Sequence, residues 1–416
     1  MKYLIFTVLV MLAINAGAQT IKNNQIVIGS VDSVQSKILK ENRKIWVYVP
    51  NGAGDSTYAK KRYPVVYLLD GDGHFPSLTG MIQQLSQING NAVCPEMIVV
   101  GITNTNRNRD LTPTNTQNGL DGKPNPAFKT SGGGEKFTEF IEKELMPHID
   151  SIYPTAPYKM LIGHSFGGLM VINTLVNHTG MFNAYVAIDP SMWWDDKKLL
   201  KQTETALQQK QFAGKTLYLG IANTMVGVQD TLKVRSDTSS MNGHIRSILR
   251  LKDILQANHA NGLQFDYAYH PNDSHGSVPL ITEYEALHFI FSYYAPSAEL
   301  AKAMFDPKSK ADIAAMLDKH YQEISHHLGY AVYPAEGQIN SNGYYFLQNN
   351  MTDKAYSLFA LNVKNYPQSF NVYDSMGDYY SYKKDKTKAI EYFRKALSLR
   401  EFKDTRDKLN KLLSGK

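Results

Sequence analysis

One pentapeptide constrains this chain more than anything else in it: Gly163-His164-Ser165-Phe166-Gly167. A strand-length apolar run, 158–162, precedes it, and the apolar stretch 168–177 that follows reads as a buried helix halted at His178-Thr179-Gly180. Strand, glycine-flanked serine and helix in that order form a nucleophile elbow. The serine sits on a strained turn, and the residues two before and two after it are expected to face neighbouring backbone, where a Cβ would collide. Ser165 is therefore the candidate nucleophile, with the N–H of Phe166 aimed at the place where an oxyanion would form. The pentapeptide alone arises by chance; its position between a strand and a helix, with a histidine loop far downstream, gives it weight.

From residue 25 to about 297 the pattern alternates strands and helices. Strands are expected over 25–31, 44–49, 64–70, 96–102, 158–162, 184–188, 216–221 and 263–269. Several are continuous apolar runs such as Val65-Val66-Tyr67-Leu68-Leu69, the signature of strands covered on both faces. Helices are expected near 78–88, 135–151, 196–209, 243–258 and 282–293. The fold class is α/β, a doubly wound sheet of the α/β-hydrolase kind followed by a small all-α domain.

Ligands of such sheets bind at the C-terminal ends of the strands, and the polar motifs fall there. After the third expected strand, Asp70-Gly71-Asp72-Gly73-His74 offers a second oxyanion N–H from Gly71 or Asp72. A calcium loop counted from Asp70 would put His74 and Met81 where carboxylates belong, so calcium is rejected. After the fourth, Arg107 and Arg109 are candidates to hold an anionic or catechol-rich ligand, or to tie the loop to itself through Asp110. After the sixth, Trp193 and Trp194 are candidate walls of an aromatic or acyl pocket. His275, on the loop after the last strand, stands where a hydrolase needs its general base. Chain order asks for an acid after the strand 216–221; Asp230 is the choice, with Asp237, Asp189, Asp273 or an acid-free dyad as alternatives.

Together 67–71, Gly101-Ile102 with Asn104-Thr105, 109–113, 163–168, Pro190-Ser191 with Trp193-Trp194, and 275–279 resemble the putative esterase family, which includes esterase D-like and enterobactin-type siderophore esterases. The resemblance covers roughly 26–294. It implies carboxylic ester hydrolysis with Ser165 as nucleophile and His275 as base, and leaves the acid no clearer. The expected activity is that of a serine esterase using no metal or cofactor, on a small-molecule ester such as a ferric catecholate trilactone. The alternatives are a carbohydrate acyl esterase and a repeat-mediated binding protein with a vestigial hydrolase domain.

The first 18 residues read as a signal peptide: Lys2, an apolar run over 3–14, then Ala16-Gly17-Ala18. That run is too short to span a membrane, so a periplasmic or secreted protein without a span is expected. Cys94 is the only cysteine, which excludes an internal disulfide. The formal charge of +6 comes from dispersed basic residues, which argues against nucleic acid as a partner.

Past 297 only helices are expected. After a linker and an amphipathic capping helix (298–335), residues 336–416 carry a 34-residue echo: Gly343, Phe346, Ala355 and Phe359 answer Gly377, Tyr380, Ala389 and Phe393. This is the period of two tetratricopeptide repeats, expected to dock on the catalytic domain and to serve either as a spacer or as a groove for a protein partner.

Overall fold

The computed structural model describes residues 20–22, 24–51, 57–228, 230–306 and 309–414. The expected signal peptide lies outside them. They gather into two compact units: one runs through Arg62–Tyr294 with the strands before Asn51, and the other takes the chain from Ala295 together with 57–61.

The first unit is built on an eight-stranded sheet. Its strands are β1 (Ser30–Ser36), β2 (Glu41–Tyr48), β3 (Tyr63–Leu68), β4 (Ile98–Ile102), β5 (Thr155–His164), β6 (Ala184–Ile188), β7 (Thr216–Ala222) and β8 (Gln264–His270). They lie in the order β8-β7-β6-β5-β3-β4-β2-β1. β3 to β8 run parallel, while β1 and β2 form an antiparallel edge joined to β4. In β3, β4 and β6 every residue is buried, and because successive side chains point to opposite faces, both faces of the sheet are covered.

The covering helices are α1 (Gly71–Ser86), α2 (Gly134–Phe140), α3 (Met146–Ile152), α4 (Phe166–Asn177), α5 (Trp194–Gln209), α6 (Gly243–Ala257) and α7 (Val278–Ile290). α4 packs on β5 and β6, α7 on β6 and β7, and α1 on β4. α4 is buried from Phe166 to Val176, as its largely apolar sequence requires, and the hydroxyl of the buried Thr174 is satisfied by donating to Met170 O. The sequence places one strand over 25–31 where the chain makes two: a short hairpin strand Gln25–Val27, and then β1, whose polar sequence SVDSVQS leaves most of its residues at least partly exposed.

The second unit contains α8 (Ala298–Phe305), α9 (Ile313–Leu328), α10 (Glu336–Gln348), α11 (Thr352–Asn365), α12 (Phe370–Tyr382), α13 (Lys386–Leu399) and α14 (Lys403–Ser414). α10 and α11 recur as α12 and α13 with both ends of each helix displaced by 34 residues. The packing explains the period. A Cβ on Gly343 would stand 2.5 Å from the Phe359 ring, and one on Gly377 would stand 2.5 Å from the Phe393 ring. Each helix pair closes on an aromatic ring over a glycine. The stretch 57–61 joins this unit through a hydrogen bond from Ala59 N to Glu336 Oε2, while Glu336 Oε1 accepts from Ser369 and Asn371.

One buried charge-bearing residue lacks the partners that the others have. Glu283 on α7 is 1% exposed, and neither carboxyl oxygen has a hydrogen-bond partner among the described residues. Burial alone pushes its carboxyl up to about 8. A raised carboxyl favours folding in its neutral form, so its contribution is fully present below the unfolded value and is lost as pH rises through about 8. Thermal or urea unfolding from pH 4.5 to 8.5 should show wild-type stability falling by a few kcal/mol, with Glu283→Gln removing most of that slope. Identical slopes for the two proteins would contradict a buried, unpaired carboxyl.

Candidate active site

Ser165 lies on the turn between β5 and α4 with φ 60° and ψ −114°, a strained positive-φ conformation that a serine holds only when its surroundings force it. Gly163 makes the turn possible: a Cβ there would meet the carbonyl of Gly167 at 2.5 Å. The elbow is fixed to the neighbouring strand by Ser165 N–H donating to Ile188 O (2.9 Å) and Ser191 N–H donating to Ser165 O (3.0 Å). Ser191 also places its hydroxyl 3.3 Å from Ser165 Oγ, a neighbour that sequence reasoning did not single out.

His275 stands on the loop between β8 and α7, which Asp273 and Ser277 stitch together: Ser277 Oγ donates to Asp273 Oδ1, and Asn223 N–H to Asp273 O. Its ring lies 4.4 Å from that of His164, the residue before Ser165, so the loop delivers the imidazole to the elbow. His275 Nδ1 meets a carboxylate at 2.6 Å, and that carboxylate belongs to Asp189.

Here the structure departs from the sequence-based choice. Asp230 uses its side chain to accept from Leu232 N–H within its own loop, and its carbonyl accepts from Val234 N–H. Asp237 is likewise bound locally to Ser239 and Asn242. Asp189 follows β6 rather than β7, with φ 41° and no exposed surface. The two strands are neighbours, and Asp189 N–H donates to Gly220 O of β7, so an acid leaving β6 reaches the same place.

Asp189 is well furnished with donors. Oδ1 accepts from Ala222 N–H (3.0 Å), and Oδ2 accepts from His275 Nδ1 (2.6 Å) and from His244 Nε2 (2.8 Å). Burial would raise its pKa, but the hydrogen bonds from His244, His275 and Ala222 outweigh burial and hold the carboxyl well below the usual range. An ionised acid obliges His275 to carry its proton on Nδ1, which leaves Nε2 as the basic nitrogen. Asp189, His244 and His275 bring three potential metal-ligand atoms within 4.8 Å of one another. The nitrogen–oxygen distances, however, are those of charge-assisted hydrogen bonds, shorter than the roughly 3.3 Å between ligands of a tetrahedral zinc.

His164 is half-buried, and desolvation, with smaller contributions from His275 and His74, pushes its pKa down to about 4. It stays neutral at ordinary pH and does not compete with His275 for the proton. Burial likewise lowers His74.

The Asp70 loop reaches the same place, its carboxylate lying against Gly167. Gly71 and Asp72 open α1 and Phe166 opens α4, so two helix N-termini, where backbone N–H groups lack intrahelical partners, start beside Ser165. Arg107 closes this arrangement. Its Nε and Nη2 grip both oxygens of Asp70 (2.7 and 2.9 Å), Nη2 also donates to His164 O, and the guanidinium lies over the Phe166 ring at 5.5 Å. Asn104 donates to both Asp70 and Asp72, so these carboxylates already have partners.

Arg109 is not brought to the site. It grips Glu41 with two nitrogens and Asp110 with a third, joining a network in which Arg43 and Asp110 are both 1% exposed. These bonds, that to Glu41 first, raise its already high pKa further. The two tryptophans also separate. Trp194 is buried and donates from Nε1 to Thr114 O, whereas Trp193 is half-buried. Phe128 bridges Trp193, Trp194 and Phe166 at 5.0–6.5 Å. The sequence carried no signal for Phe128, which comes from a long polar loop.

The sheet order, the strained serine on the strand-to-helix turn and the histidine–aspartate pair beside it define the class: an α/β hydrolase. Comparison with known proteins agrees. The family model described as "Putative esterase" matches residues 36–246, and the chain belongs to that family. Over 151 residues it is 34% identical to the ferri-bacillibactin esterase BesA of Bacillus subtilis, covering 34% of this chain and 52% of that protein. Over 170 residues it is 28% identical to a siderophore enterobactin esterase of Emericella nidulans, covering 38% and 55%. The chain spans about half the length of these curated relatives. A crystal structure of an IroE-like serine hydrolase from Shewanella oneidensis aligns with a TM-score of 0.67 at 32% identity, covering 80% of this chain and 98% of that one.

Replacing Arg109 with alanine should destabilise the first unit by about 1–3 kcal/mol, because Glu41 and Asp110 lose one of the two cations they share, Arg43 being the other. The KM of the folded variant for anionic and neutral esters should stay within about twofold of wild type. Denaturant unfolding and steady-state kinetics on both ester types check this. A selective rise in KM for the anionic ester would return Arg109 to the binding site.

Proposed function

We propose that this protein is an exported serine esterase whose nucleophile is Ser165, whose general base is His275 and whose orienting acid is Asp189. The observation that carries the reading is the 2.6 Å contact between His275 Nδ1 and the buried Asp189, set beside a serine on a strained elbow. In the reaction Ser165 Oγ attacks the ester carbonyl while His275 Nε2 takes the hydroxyl proton. Collapse of the tetrahedral intermediate passes that proton to the leaving alcohol, and water hydrolyses the acyl-enzyme by the same route. The Phe166 N–H, with Gly71 or Asp72 N–H, holds the oxyanion at the meeting of the two helix N-termini. Asp189 fixes the imidazole tautomer and stabilises the imidazolium.

Ser165→Ala and His275→Ala should each lower kcat on an aryl acetate by about a thousandfold or more while melting as wild type does. Asp189→Asn should cost at least about a hundredfold, whereas Asp230→Asn should remain within about threefold. A large loss in Asp230→Asn with Asp189→Asn near normal would reverse the assignment of the acid.

The substrate class proposed is a catecholate trilactone siderophore, whose iron is cargo and not a cofactor. Trp193, Phe128 and Phe166 offer flat aromatic surface, and Arg107 adds a cation whose Nη1 is outside its pair with Asp70. The names of the relatives point the same way. Product analysis should show ring opening of a ferric catecholate trilactone, abolished in Ser165→Ala. Turnover of acetylated or feruloylated sugars with none of the trilactone would replace this reading by a carbohydrate esterase. The 34-residue period supports reading the second unit as two tetratricopeptide repeats with a structural role.

A further inference from the structure

Asp189 carries one more imidazole than a hydrolase acid requires. His244, the second residue of α6, meets Asp189 Oδ2 through Nε2 at 2.8 Å, the same oxygen that His275 Nδ1 meets at 2.6 Å. Its side chain is 12% exposed, and its ring stands edge-on to that of His275, with centroids 5.1 Å apart. The other carboxylate oxygen is occupied by Ala222 N–H. A carboxylate with no exposed surface is out of reach of bulk water, so its protein donors set its rotation. With Ala222 alone on Oδ1, the plane could still turn about that bond. The donor at His244 pins Oδ2 at the point where His275 needs it.

Resting on the esterase reading above, we propose that His244 is a positioning residue: its Nε2–H holds the Asp189 carboxylate in the orientation that aligns His275, and it acts only through Asp189. Among the described residues it is the one side chain besides His275 in hydrogen-bond contact with that carboxylate. The sequence offered no signal for it, since it lies 55 residues from Asp189 and opens an otherwise ordinary amphipathic helix.

The test uses the full chain with an aryl acetate as probe. His244→Leu removes the donor and should lower kcat by roughly tenfold or more with KM unchanged, the signature of a misaligned base. His244→Gln keeps an N–H at nearly the same reach and should restore most of kcat. In an Asp189→Asn background, His244→Leu should have little further effect, because the two act as one unit. If His244→Leu failed to fold, His244→Phe would carry the same comparison with the ring's shape retained. Equal kcat for the leucine and glutamine variants, whether both normal or both impaired, would overturn the proposal. So would a loss confined to melting temperature or KM, or a full additional loss in the Asp189→Asn background. The underlying reading fails separately: wild-type protein without esterase activity, or a fully active Ser165→Ala, would remove the esterase itself.

Discussion

The site depends on one buried anion. Asp189 has no exposed surface, and an unpaired carboxylate there would cost several kcal/mol, so the fold must bring it donors. They arrive from three segments: the end of β7 through Ala222, the loop before α7 through His275, and the start of α6 through His244. The residues on either side of Asp189 also hold the elbow, since Ile188 accepts from Ser165 and Ser191 donates to it. The short stretch 188–191 thus both holds the backbone of Ser165 and carries the buried carboxylate. The hydrogen bonds that make the anion tolerable include the one that holds the His275 imidazole.

This explains which parts of the site were legible in the sequence. The elbow is local: strand, glycines, serine and helix are contiguous, and their conformation is dictated by backbone sterics within a few residues. His275 was legible from its place after the last strand. The carboxylate that His275 meets was not, because chain order selects a strand end and the imidazole selects a position in space. β6 and β7 are adjacent in the sheet, so their ends converge, and Asp189 and Asp230 cannot be separated without knowing which carboxylate the loops enclose. Asp230 is spent on its own turn through Leu232.

The arginines repeat the lesson with charge. Two guanidinium groups in one polar loop look alike in a sequence, but their partners are distant. Glu41, which takes Arg109, comes from 68 positions away on the antiparallel edge of the sheet; Asp70, which takes Arg107, comes from the loop after β3, 37 positions away. The first pairing turns its arginine into a tie between edge strand and loop. The second keeps its cation beside the serine, stacked over Phe166.

The helical unit shows the opposite balance. Its helices repeat because their contacts repeat: glycine against phenylalanine at 343 and 359, then again at 377 and 393. Period is therefore a direct imprint of packing, and it was legible without coordinates. The stretch 57–61 has no such imprint, since it reaches the unit through a main-chain donor, Ala59 N–H on Glu336. A backbone N–H is the same group in every residue but proline, so no sequence pattern marks the one that is used. The partner is marked instead. Glu336 is a 3%-exposed carboxylate at the start of a helix, and its burial requires donors from somewhere in the chain. Unexplained burial of a charge, at Glu336 as at Asp189, is the physical sign that a distant segment has been recruited.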